Sequence, residues 1–218
     1  MPHVVLLGDS IFDNGAYTQG GPDVIAQLRE ALPAGWRATL GAIDGATTQD
    51  VDPQLRALPS DVTHAVLSLG GNDALGHADL IDMRVRSSAD VLGRLADAAA
   101  GFEARYRRAV WAVLERRIPL TICTIYNGNF PDADFQRLAS TALAVFNDAI
   151  LRVAFERALT VIDLRLVFDE PADYANPIEP SSHGGAKIAR AIRLVLELPV
   201  TTDRVARVLP GSQRTNAV

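Results

Sequence analysis

The chain has 218 residues, one cysteine and a net charge of −5, with 48% hydrophobic and 22% charged residues. That is enough for one sizeable domain, and the composition is ordinary for a soluble globular fold. An acidic balance argues against a nucleic-acid or anionic-membrane surface, since either needs a basic patch. A lone cysteine excludes an internal disulfide framework. No basic stretch with a long apolar segment precedes "PHVVLLGDS", and no apolar run nears the roughly 20 residues of a membrane helix. The expectation is a cytoplasmic protein with no membrane span.

In chain order, the first predicted strand covers 4–7 and drops into Gly8-Asp9-Ser10. Gly21-Pro22 then precedes a helix over "DVIAQLREAL", proline being suited to a first helical turn. The second strand covers 36–40 and leads into "GAIDGATTQD", where Gly45 stands at a turn before a helix from Thr47 or Thr48 to Leu58. The third strand, 64–69, runs into Gly70-Gly71-Asn72-Asp73. A long helix starts near Ser88, with Val91, Leu95, Ala98, Phe102 and Tyr106 on one stripe. The fourth strand, 120–124, holds Cys123 as a core thiol and exits through "YNGNFPD". A helix from about Asp134 turns Leu138, Ala142, Val145, Ala149 and Val153 inward at a 3.6-residue period. The fifth strand covers 160–162, and the last helix, from about Gly184 to Leu198, follows "NPIEPSSHGGAKIA".

Strand–helix alternation along the whole chain predicts an α/β fold, a three-layer sandwich with helices on both faces of a parallel sheet of about five strands. The domain spans 1–200. The polar tail, 201–218, breaks the pattern and is read either as a mobile end or as an arm docking on a partner.

Ligands in an open α/β sheet bind outside the carboxyl ends of the strands. Ser10, Gly45, Asn72 and His183 all follow strands or precede the last helix, so they converge on one rim. Acyl transfer needs a nucleophile, a base and donors at the developing oxyanion. Ser10 and His183 supply the first two; the N–H groups of Ser10 and Gly45 and the Asn72 amide supply the third. Each has a plainer reading: Ser10 as a turn residue, Gly45 as a turn glycine, Asn72 as a cap and His183 as a surface or capping histidine. Asp9 is read as bracing the turn, Asp73 as bracing the Asn72 loop, His64 as structural and His77 as part of a solvated loop.

With "GDSIFDN", the glycine of "DGATTQD", "GGND" and a histidine before the last helix in order, the chain resembles the SGNH hydrolases, or GDSL esterases and lipases, over residues 4 to 198. The resemblance implies a flavodoxin-like fold, a serine nucleophile, a three-donor oxyanion hole, and neither metal nor organic cofactor. One block departs from it. Family members carry an aspartate three residues before the histidine, and here that position is Pro180, with Glu179 one residue further back. Three readings stay open: Glu179 orients His183, a backbone carbonyl does so, or catalysis is impaired. Leu75, Tyr126 and Asn127 leave their strands at the same rim and are assigned to substrate binding. Leu80, Ile81 and Met83 either wall an acyl pocket or pack their loop on the long helix. The expected function is hydrolysis of a small-molecule carboxylic ester or thioester through an acyl-serine. The alternatives are a deacetylase of a sugar or metabolite and a non-catalytic binding module on the same fold.

Overall fold

Successive side chains of β1 (His3–Gly8) point to opposite faces of the sheet, and both faces are buried. Val4 and Leu6 enter one apolar cluster, Val5 and Leu7 the other. The same alternation holds in β3 (His64–Ser68), where Ala65 and Leu67 face one way and Val66 the other. Runs buried on both faces read as continuous apolar stretches, which is why the strands were legible. The computed structural model describes residues 1–198 and 206–209. It adds β2 (Arg37–Leu40), β4 (Leu120–Cys123), β5 (Thr160–Ile162) and β6 (Arg207–Leu209), all parallel, in the order β2-β1-β3-β4-β5-β6.

The helices, in chain order, are α1 (Val24–Ala31), α2 (Val51–Arg56), α3 (Gly71–Leu75), α4 (Ser88–Leu114), α5 (Ala133–Arg157), α6 (Leu164–Val167) and α7 (Ser182–Leu196). One layer is α2, α4 and α5, burying Leu55, Phe102, Tyr106, Phe146 and Ile150. The other is α1, α6 and α7, burying Leu28, Leu164, Ile188 and Ile192. Side-chain caps set several starts: Asp23, Ser87, Asp132 and Ser181 each accept a backbone N–H of the following turn.

Three expectations change. The sheet has six strands, because part of the predicted tail pairs with β5 (Thr160↔Arg207, Ile162↔Leu209). A three-residue edge strand leaves too short a pattern to read; the rest of the tail falls outside the described residues. Residues 47–50 form a polar turn before α2, since Asp50 Oδ2 accepts from both the N–H and the hydroxyl of Thr47 at 2.8 Å. Among the described residues α5 alone is long and apolar enough to cross a membrane. Its Phe146, Ile150 and Val153 are packed in the core against the sheet and α4.

Strand β1 pairs with β2 on one side and β3 on the other, Val4 standing opposite both Ala38 and His64. The strand order therefore reverses at β1. The crevice between the carboxyl ends of β1 and β3 is the switch point at which such sheets hold ligands.

Candidate active site

The first side of that crevice is built by close approach of backbone. Gly8 has φ 133°, and a Cβ there would lie 1.8 Å from the Ser68 carbonyl oxygen of β3. Only glycine permits both the conformation and the contact. Gln54 of α2 clamps the strand end: the Gly8 N–H donates to Oε1 at 2.9 Å, and Nε2 donates to the Gly8 carbonyl at 2.7 Å. The chain then turns, with the Phe12 and Asp13 N–H groups both donating to the Asp9 carbonyl at 3.1 Å. Asp9 Oδ1 accepts the Ile11 N–H at 3.1 Å, the bracing role expected of it. Ser10 rides on this turn and lines the crevice, and its own N–H has no acceptor among the described residues.

Asn72 faces Ser10 across the switch point from the start of α3. Its Nδ2 donates one hydrogen to the Ala46 carbonyl at 2.9 Å, leaving the second amide hydrogen for a ligand. Asp73 accepts from Thr48 through both N–H (2.9 Å) and hydroxyl (2.7 Å), so it braces the Gly45 loop against α3. Gly45, at φ 78°, is exposed at the outer rim and does not line the cavity itself; its N–H has no acceptor among the described residues.

His183 is not beside Ser10. Helix α7 begins at Ser182, earlier than expected, which places His183 in its first turn and outside the cavity. Its Nε2 lies 3.0 Å from Glu170 Oε1 and 3.7 Å from Asp173 Oδ1, and its side chain is 55% exposed. Nor does Glu179 hold the His183 ring; that partner is Glu170, thirteen residues upstream. Ligand-type atoms of Glu170, Asp173 and His183 lie within 4.8 Å of one another. The Lys187 ammonium already sits 2.8 Å from Glu170 Oε1 and 2.8 Å from Asp173 Oδ1.

Glu179 occupies the place beside the serine. It is 9% exposed and lines the cavity with Ser10 and Asn72, and the Ser10 hydroxyl acts to lower the pKa of its carboxyl. Its Oε2 is buried without a partner among the described residues. The segment that carries it is tied down on every side. Asn176 Oδ1 accepts the N–H groups of Ile178 and Glu179 at 3.0 Å each. Asn14 Nδ2 donates to the Pro180 carbonyl at 3.2 Å, the Tyr126 hydroxyl donates to the Ile178 carbonyl, and the Asn129 N–H donates to the Pro177 carbonyl at 2.8 Å. Burial pushes the Glu179 carboxyl above its ordinary value, against the pull of the Ser10 hydroxyl, and the Asp44 charge pushes the same way as burial. Asp9, which also lines the cavity, is raised to about 7, chiefly by burial; the Ile11 N–H opposes this and the Glu179 charge adds to it.

Beyond these polar groups the crevice opens into an apolar cavity of about 140 Å³, walled by Leu75, Leu80, Ile81, Leu95, Ile125, Phe130, Leu143 and Phe146. That resembles the roughly 150 Å³ of a cavity that takes a benzene ring. Leu75 and Tyr126 line it as expected, the Tyr126 hydroxyl being spent on Ile178. Asn127 does not: its carbonyl accepts the Tyr174 hydroxyl at 2.6 Å. Met83 is absent from the wall, whereas His77, expected in a solvated loop, joins it, its ring centroid 6.1 Å from that of Phe146. Asn147 of α5 secures the floor, its Oδ1 accepting the Ile125 N–H and its Nδ2 donating to the Ile125 carbonyl, both at 2.8 Å. Phe130, Leu143 and Phe146 were missed; Phe146 is adjacent to the predicted Val145 stripe on α5, one residue round the helix.

Residues 6–187 match the family described as GDSL-like lipase/acylhydrolase. Among solved structures, an extracellular lipase from Streptomyces rimosus superimposes with a TM-score of 0.66 at 21% identity, over 90% of this chain and 98% of that one. A phospholipase A1 from Streptomyces albidoflavus gives 0.66 at 18% identity, over 90% and 99%. An acetylxylan esterase from Geobacillus stearothermophilus gives 0.62 at 19%, over 93% and 97%. At such identities these likenesses establish the fold. No curated protein matches the chain.

Proposed function

The chain belongs to the GDSL-like lipase/acylhydrolase family, a family of carboxylic ester hydrolases, and from that premise we propose that it cleaves esters of short to medium acyl groups through an acyl-serine on Ser10. The observation that carries this reading is the placement of Ser10 at the switch point, with the free Asn72 amide hydrogen on one side and the apolar cavity behind it. The Ser10 oxygen attacks the carbonyl carbon. The oxygen that gains the charge is received by the Ser10 N–H and Asn72 Nδ2, donors preorganised where the charge develops, with the Gly45 N–H at the outer rim as the third donor only if its loop closes over bound substrate. The acyl chain enters among Leu75, Ile125, Phe130 and Phe146. Water then releases the acid. Thioesters fit the same steps. An acetyl-ester substrate, as in the acetylxylan esterase neighbour, is the second reading; an apolar wall larger than a methyl group needs favours the longer chain.

A panel of p-nitrophenyl acetate, butyrate and octanoate tests this. Turnover is expected to peak at butyrate or octanoate and to vanish in Ser10→Ala, and a fluorophosphonate is expected to label Ser10 alone. Undiminished turnover in Ser10→Ala would overturn the assignment, and a preference for acetate would select the deacetylase reading.

A further inference from the structure

Resting on the reading of Ser10 as nucleophile, we infer that Glu179 is the general base that takes the Ser10 proton, in place of His183. The reasons are positional. Glu179 and Ser10 line the same cavity, the Ser10 hydroxyl acts on the Glu179 carboxyl, and the second carboxylate oxygen, Oε2, is buried with no partner among the described residues. A buried carboxylate oxygen left without a donor costs free energy, and the carboxyl that bears this cost belongs to a residue lining the cavity beside Ser10. His183 has no route to the same proton, because the first turn of α7 aims it at Glu170 and Lys187 occupies the far side of that cluster.

The steps balance without another reactant. As the Ser10 oxygen bonds to the acyl carbon, its proton passes to Glu179 and the carbonyl π pair moves onto oxygen. On collapse the bond to the leaving oxygen or sulfur breaks, and Glu179 returns the proton to it. A water then attacks the acyl carbon and gives a proton to Glu179. The Ser10–acyl bond breaks, and that proton returns to Ser10. A carboxylate raised by burial suits both halves, since efficient acid–base catalysis places the pKa near the working pH. The titratable groups whose charges couple to Glu179 are Asp9 on the β1 turn, Asp44 on the loop after β2, and Tyr17 and Tyr126, whose hydroxyls donate to Asp44 and to the Ile178 carbonyl. Asp9 also lines the cavity, but its Oδ1 is engaged by the Ile11 N–H.

The test compares Ser10→Ala, Glu179→Gln, Glu179→Asp and His183→Ala on p-nitrophenyl butyrate between pH 4 and 9, with a thermal melt of each. Glu179→Gln is expected to lower kcat at least about 100-fold, within the range for a lost general base, with Glu179→Asp falling between it and wild type. His183→Ala should stay within about twofold and keep the wild-type loss of activity on the acid side. A loss above tenfold in His183→Ala overturns the inference whatever Glu179→Gln does, as does a folded Glu179→Gln retaining more than a tenth of wild-type kcat. If Glu179→Gln fails to melt cooperatively, His183→Ala and Glu179→Asp decide by the same limits. Failure of the serine reading registers separately, as activity persisting in Ser10→Ala.

Discussion

Replacing Asp9 by asparagine should stabilise the protein at alkaline pH and lose that advantage in acid. Asp9 is 2% exposed, and its carboxyl is raised from 3.8 to about 7, chiefly by burial. A carboxyl whose pKa is raised on folding is most favourable when protonated. Its contribution is therefore fully present below pH 3.8 and is lost as pH climbs through about 7. At 1.36 kcal/mol per pH unit, the displacement amounts to about 4 kcal/mol between those limits. Asparagine is neutral throughout and keeps an Oδ1 to accept the Ile11 N–H, so Asp9→Asn should gain up to about 4 kcal/mol at pH 8 and close to nothing at pH 4. Urea unfolding of both proteins at pH 8, 6 and 4 measures the difference. Comparison with wild type cancels His3 and His64, whose burial lowers their pKa and weakens the fold in acid. For a chain of this length the gain corresponds to a Tm about 10 °C higher at pH 8. An Asp9→Asn protein less stable than wild type at pH 8, or a gain that does not shrink on acidification, would refute the reasoning.

Asn72→Ala should lower kcat by about 10²–10³ with little change in KM, because an oxyanion donor acts mainly in the transition state; steady-state kinetics on p-nitrophenyl butyrate reads it. Gly8→Ala should cost more than about 4 kcal/mol or prevent folding, since the methyl would be driven into the Ser68 carbonyl at a φ that L-residues avoid. The yield of soluble protein and its chemical denaturation midpoint measure that.

The sequence by itself determined the layered α/β architecture, the position of Ser10 and the pairing of Asn72 with it. Those depend on local signals: apolar runs such as "HVVLLG" buried on both faces, helical stripes at a 3.6-residue period, and the Gly8-Asp9-Ser10 and Gly70-Gly71-Asn72-Asp73 blocks that follow their strands. Tertiary structure alone decided what lies beside Ser10. Glu179 and His183 stand four residues apart. Which of them reaches the serine depends on where α7 starts and how residues 174–180 are folded, and both are governed by partners distant in the chain. Asn14 holds Pro180, Tyr126 holds Ile178, Asn129 meets Pro177, and Glu170 draws His183 away. The wall of the cavity is equally non-local, since Leu75 comes from α3, Ile125 from the loop after β4 and Phe146 from α5, and β6 pairs along the edge of β5. Periodicity shows which face of an element is buried; the contact that turns a carboxylate toward a hydroxyl is made between segments that no local pattern relates.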